Sequence, residues 1–242
     1  MIRLKPASPE ALALAGLLGG HLDVAIVAIL LGVAVARWAP PEDLPWTPLE
    51  LAAPVGLATV GKFERAAGDP AQCRAILREG GVAFAEHPDR VSGSCSTRNA
   101  LRPAGPVPLA PAAPVMTCPQ ALAYAFWARH TVQPAAEAEL GVRIARIEHY
   151  GTYACRNVYG RATGARSQHA YANALDVAAF RTEGGKRVSV LNDFADPGPE
   201  GRFLRRARDG ACRWFRAVLS PDYNAAHRDH LHLDRGRFDA CR

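Results

Sequence analysis

The 242-residue chain is 49% hydrophobic and carries a formal charge of +6 with a pI near 9.2. That much apolar material encloses a substantial core and excludes a chain that is disordered throughout. The basic balance is compatible with an acidic polymer, but no nucleic-acid motif accompanies the arginines, so no nucleic-acid partner is expected.

At the N-terminus Arg3 and Lys5 precede an apolar region from Ala11 to Ala36, broken by His21 and Asp23. We expect residues 1–39 to form a membrane anchor with a cytoplasmic N-terminus; a signal peptide cleaved after Ala34-Val35-Ala36 is the alternative. Pro40, Pro41, Pro45 and Pro48 then make a stiff exit, opening a spacer and accessory region over residues 40–117. Asp69-Pro70-Ala71-Gln72 reads as a capped helix start and Gly80-Gly81 as its stop. The proline- and alanine-rich run from Arg102 to Pro119 has neither helical nor alternating polarity and reads as a wrapping loop.

From Cys118 to the C-terminus the patterns are denser. Pro119 opens a helix through Arg129, Val142 to Tyr153 has strand character, and Leu175 to Phe180 reads as a second strand. Phe203, Leu204, Ala207, Ala211, Trp214, Phe215, Val218 and Leu219 fit one helical stripe, predicting a helix from about Glu200 to Leu219. A returning His230-Leu231-His232-Leu233 strand completes an α+β domain, an antiparallel sheet with flanking helices. Six cysteines, Cys73, Cys95, Cys118, Cys155, Cys212 and Cys241, have no CxxC spacing and read as a disulfide framework of an oxidising compartment. Spacing does not select their pairing; Cys73 with Cys95 is the shortest plausible closure among the first four.

The chemistry concentrates in SQHAYANALDV and HRDHLHLD. Strand alternation turns His230 and His232 to one face and their leucines to the other, and turns Asp176 to the site while Leu175 and Val177 pack inward. Two imidazoles and one carboxylate can hold Zn2+ and leave a coordination position open for water. His21, His87, His130 and His149 lack such partners and read as structural.

SxH, six residues, Asp and a later HxH resemble the zinc peptidases that cut D-amino-acid peptides of bacterial cell walls, a group sharing its fold with the hedgehog signalling domain. LPWTPLEL, GTYACR, RSQHAYANALDVAAF, CRWFRAVLSPDYN and HRDHLHLD resemble, more narrowly, the bacterial extensin-like C-terminal family. The resemblance implies metal ligands His169, Asp176 and His232, a catalytic His230 with His227 as a second catalytic candidate, and Ser167, which opens the motif, as a substrate-binding candidate. The wider pattern prefers Gly where this chain has Ala172. Arg156 is the candidate for binding a substrate carboxylate, with Arg166 and Arg161 as rivals, and Asp234 or Asp229 are candidates to orient the imidazoles. The expected function is a zinc-dependent hydrolase of peptidoglycan peptides, membrane-anchored with its C-terminal domain in the periplasm. The alternatives are a secreted form and a noncatalytic wall-binding module with structural zinc.

Overall fold

The computed structural model describes the backbone of residues 9–242 and side chains from residue 24 onward. In chain order, helices α1 (Pro9–Trp38), α2 (Thr59–Gly68) and α3 (Pro70–Glu79) precede six short strands. These are β1 (Ala83–Glu86), β2 (Val91–Ser92), β3 (Cys95–Ser96), β4 (Ala100–Ala104), β5 (Leu109–Ala110) and β6 (Met116–Thr117). Helices α4 (Cys118–Trp127) and α5 (Gln133–Leu140) follow, joined by a wider helical turn over Ala128–Val132. The remainder is β7 (Ile144–Gly151), β8 (Ala174–Thr182), β9 (Arg187–Ser189), α6 (Val190–Asp193), α7 (Pro199–Ala211), β10 (Ala217–Leu219), β11 (Leu231–Asp234) and β12 (Ala240–Cys241). The architecture is α+β.

The main sheet has the order β12-β10-β11-β8-β7-β5, with β9 also on β8, and its centre, β10 to β7, is antiparallel. Asp176 of β8 stands directly opposite His232 of β11, while Leu231 and Leu233 oppose Val177 and Leu175. All four apolar residues are fully buried, so burial of one face locks the register that turns Asp176 and His232 to the other. Near the site the β7–β8 pairing skips Ala178 on one strand and Tyr150 on the other, and at the far end it skips Ala145. The first bulge returns Phe180 to the same core as Leu175 and Val177, and the pair lies beside the site, where bulges re-aim side chains.

A single core spans Leu49 to Leu233. Phe63, Phe126 and Trp214 meet with ring centroids 4.8 to 5.6 Å apart, joining α2, α4 and the turn after α7. Buried Gln120 of α4 donates to the Leu233 carbonyl at 2.9 Å, tying the helix to β11. The proline-containing run after α1 lies against α2: Lys62 Nζ donates to the Pro41 carbonyl and Thr47 Oγ1, both at 3.0 Å, and Leu44, Leu49 and Leu51 are buried.

The expected cap and stop of α3 are present: Asp69 Oδ1 accepts from Ala71 and Gln72 N–H, and the helix ends at Glu79 before Gly80 and Gly81. Four expectations are corrected. The helix expected to Leu219 stops at Ala211, because Ala217-Val218-Leu219 serves as the strand between β11 and β12; short apolar runs satisfy either periodicity, and the sheet decides. The run Arg102 to Pro119, expected as a loop, contributes to β4, β5 and β6. The HLHL strand begins at Leu231, so His230 is the residue before it. Cys73 pairs with Cys118 instead of Cys95, which pairs with Cys155, and Cys212 pairs with Cys241, because packing of α3 on α4 overrides sequence proximity. All six cysteines are bonded.

The expected anchor falls largely on residues 1–23, where the first eight lie outside the described residues and side chains are not described. Among the described residues no helix is long and apolar enough to cross a membrane.

Candidate metal centre and cleft

His169 leaves the chain in a helical turn, Gln168–Tyr171, whose first residue is capped by Ser167: its Oγ accepts from His169 N–H at 3.3 Å. The turn closes at Ala172, left-handed at φ 53°, a conformation more costly for Ala than for Gly. Two bonds fix it to the start of α4. Thr117 N–H donates to the Ala172 carbonyl at 2.9 Å, and Thr117 Oγ1 bonds Asn173 Oδ1 at 3.0 Å.

This turn, β8 and β11 bring together one donor atom each from His169, Asp176 and His232, all within 4.8 Å of one another. His169 Nε2 is 3.0 Å from Asp176 Oδ2 and 3.3 Å from His232 Nδ1, and His232 Nδ1 is 2.8 Å from Asp176 Oδ1. Four ligands about 2.0 to 2.2 Å from a tetrahedral zinc stand roughly 3.3 to 3.6 Å apart. One donor atom from each residue lies within 4.8 Å of the others, so the set suits zinc in chemistry and comes near it in size. His169 is 3% exposed and the His232 side chain 12%, so the triangle is shielded from bulk water.

Carboxylates orient the rings from behind. His232 Nε2 lies 2.8 Å from Asp234 Oδ2, which leaves Nδ1 to face Asp176, and His230 Nδ1 lies 2.9 Å from Asp229 Oδ1. Burial alone would raise the Asp176 pKa; bonds from His169 and His232 outweigh it and hold the carboxyl well below its ordinary range. Burial would likewise lower His232, but Asp176 and Asp234 push it up to about 9. His227 is pushed down to about 4, by burial first and then by the neighbouring His230 and His232.

The site opens into a cleft of about 820 Å³ lined by Asp176, His227, His230 and His232 on its polar side. His230 Nε2 approaches Asp176 Oδ1 to 3.7 Å, and the His227 and His230 rings are 5.2 Å apart. Of the arginines singled out in sequence, Arg156 and Arg166 line the cleft; Arg166 donates to Ser94 Oγ at 2.6 Å. Arg161 instead stacks over Tyr159, its guanidinium carbon 5.5 Å from the ring centroid. The Cys95–Cys155 bridge ties the chain immediately before Arg156. Sequence reading passed over Tyr159, Tyr223, Arg237 and Phe238, which also line the cleft. It passed over Asn224 too, although an Asn opening a short helical turn three residues before His227 carries a cap signature.

The fold and site define an α+β chain with a buried two-histidine, one-aspartate cluster at the floor of a cleft, closed by three disulfides. Residues 71–242 match the family described as Extensin-like protein C-terminus, and the chain belongs to that family. Comparison with curated proteins and with solved structures finds no match.

Proposed function

We propose that this chain is a zinc-dependent hydrolase of peptidoglycan peptides, cutting a peptide bond next to a D-amino acid. The observation that carries the reading is the three-donor triangle at the floor of an 820 Å³ cleft, with two further imidazoles, His227 and His230, beside it and outside the ligand set. A structural metal site has no need of two further imidazoles lining a cleft beside it.

His169, Asp176 and His232 would hold the ion. Zinc held by such donors supplies Lewis acidity and brings a bound water's pKa toward neutrality. The chain's own residues supply the rest. His230 Nδ1 donates to Asp229, so its Nε2 faces the site and donates a hydrogen bond to an oxygen that gains negative charge only when the ring is in its protonated, imidazolium form. Arg156 and Arg166 offer guanidinium groups to a substrate carboxylate. Ser167 acts through its cap on the His169 turn.

Export belongs to the same reading. Three disulfides favour an oxidising compartment such as the periplasm. Anchoring through the N-terminal segment is part of the same proposal. No described helix is by itself long and apolar enough to cross a membrane, but Val24, Ile29, Leu30, Leu31 and Val33 of α1 are each at least 60% exposed, an apolar surface left for a partner or lipid. The test is digestion of purified wall fragments with metal-loaded and chelated protein, read by mass spectrometry. Metal-dependent fragments cut beside D-amino acids are expected; unchanged fragments in both arms would reject the reading.

A further inference from the structure

His227 is held by a neighbour whose chemistry determines where the ring carries its hydrogen. His227 Nδ1 lies 2.8 Å from Asn224 Oδ1, and the same Asn224 atom lies 3.0 Å from the Ala226 backbone nitrogen. A backbone N–H only donates, so that Asn224 atom is the amide oxygen, and an amide oxygen only accepts. His227 Nδ1 must then carry the hydrogen. In the neutral ring the lone pair is left at Nε2.

Nε2 makes no hydrogen bond among the described residues, yet it is absent from the sealed, unpartnered polar atoms of the interior. His227 lines the cleft, its ring centroid 5.2 Å from that of His230 and 5.9 Å from that of His232. The other end of the Asn224 amide is also held: Nδ2 donates to the Tyr159 hydroxyl at 3.1 Å. Tyr159 sits in the left-handed region at φ 57°, followed by Gly160 at φ 67°. A tyrosine rarely adopts that backbone, and such conformations persist where the surroundings impose them. The contact joins the loop at 158–160 to the one at 223–227.

We propose that Asn224 is a positioning residue that fixes His227 as the Nδ1–H tautomer and presents the Nε2 lone pair to the cleft as a proton acceptor, with Tyr159 bracing Asn224 from the facing loop. This deepens the hydrolase reading and rests on it only for the use made of Nε2. In that use a water O–H bond breaks, its proton forms a bond to Nε2, and the oxygen attacks the peptide carbonyl. The proton then passes to the amide nitrogen as the carbon–nitrogen bond breaks, restoring the neutral ring.

The test is two-bond proton–nitrogen NMR of the full, zinc-loaded chain labelled at histidine nitrogens, with His227→Gln to assign the signals. The wild-type chain should show the Nδ1–H pattern at His227. Asn224→Asp, which keeps an acceptor, should retain it; Asn224→Leu should revert to the Nε2–H form that predominates in free histidine, and Tyr159→Phe should shift toward it. Turnover in Asn224→Leu should fall about 100-fold and recover in Asn224→Asp. An Nε2–H pattern in the wild-type chain, or an unchanged pattern in Asn224→Leu, would overturn the proposal whatever the activity. An Nδ1–H pattern with no wall hydrolysis would uphold the tautomer and reject only the hydrolase reading.

Discussion

Replacing Asp234 with Asn tests how far the carboxylate behind His232 controls the proposed metal-binding triangle of His169, Asp176 and His232. Both Asp234 oxygens are in use: Oδ2 faces His232 Nε2 at 2.8 Å and Oδ1 accepts from Gly236 N–H at 2.7 Å. An asparagine has one oxygen, and the two partners both present hydrogens. If that oxygen stays on Gly236, the amide NH2 meets His232 Nε2 and drives the ring hydrogen to Nδ1, the atom that faces Asp176. If it turns to His232, Gly236 N–H meets an NH2 group in a position where Asp234 is only 6% exposed. A buried donor left without an acceptor costs about 1 to 3 kcal/mol. Substitutions behind a metal-bound histidine weaken metal by about 10- to 100-fold, which corresponds to about 1.4 to 2.7 kcal/mol. Competition titration of zinc against a chromophoric chelator reads this directly. Affinity within twofold of the wild-type value would refute the claim that Asp234 sets the His232 tautomer.

Replacing both Cys95 and Cys155 with Ser opens a loop of 60 residues and should cost about 4 kcal/mol in urea unfolding; a loss under 1 kcal/mol would show that the bridge does not restrain the chain before Arg156. Thiol titration of natively exported, unreduced protein should find almost no reactive cysteine, against six if the framework were absent. Burial, ahead of Arg129 and Arg213, lowers the pKa of His130 below 6.5 even though Nε2 bonds the Leu51 carbonyl at 2.9 Å. The unfolded chain therefore binds more protons just below that pH, and this contribution to stability is complete above about pH 7 and lost as pH falls through 6.5 toward the folded value. Urea midpoints should fall on acidification and fall less in His130→Gln; an equal fall in both chains would remove His130 from the account. Ala172→Gly relieves the left-handed alanine by about 1 kcal/mol but loses a buried methyl worth nearly as much, so a stability change beyond about 1 kcal/mol would contradict the balance.

The cluster was legible because it rests on local periodicity. Alternation in HLHL places two leucines inside whatever the rest of the chain does, and the same rule turns Asp176 outward opposite His232. The α3 cap was legible for the same reason, being settled within four residues. What failed was decided at long range. Val218 and Leu219 suit a helix stripe and a strand equally, and only the vacancy between β11 and β12 makes them β10. Cys73 meets Cys118 because α3 packs on α4, a contact that sequence spacing does not encode. The cleft walls come from loops around 159, 223 and 237, each polar and unremarkable alone, and Asn224 acquires a role only when Tyr159 and His227 reach it from different segments.

The central claim is a division of labour among four side chains, and zinc content measured by native mass spectrometry on oxidised wild-type, His232→Ala and His230→Ala chains tests it most directly. The wild-type chain should hold about one zinc, the expectation for an open three-ligand site. His232→Ala should lose it and His230→Ala should keep most of it, since His232 Nδ1 belongs to the donor triangle and His230 Nε2 stands 3.7 Å from Asp176 outside it. A wild-type chain without metal, or equal loss in the two variants, would contradict the account.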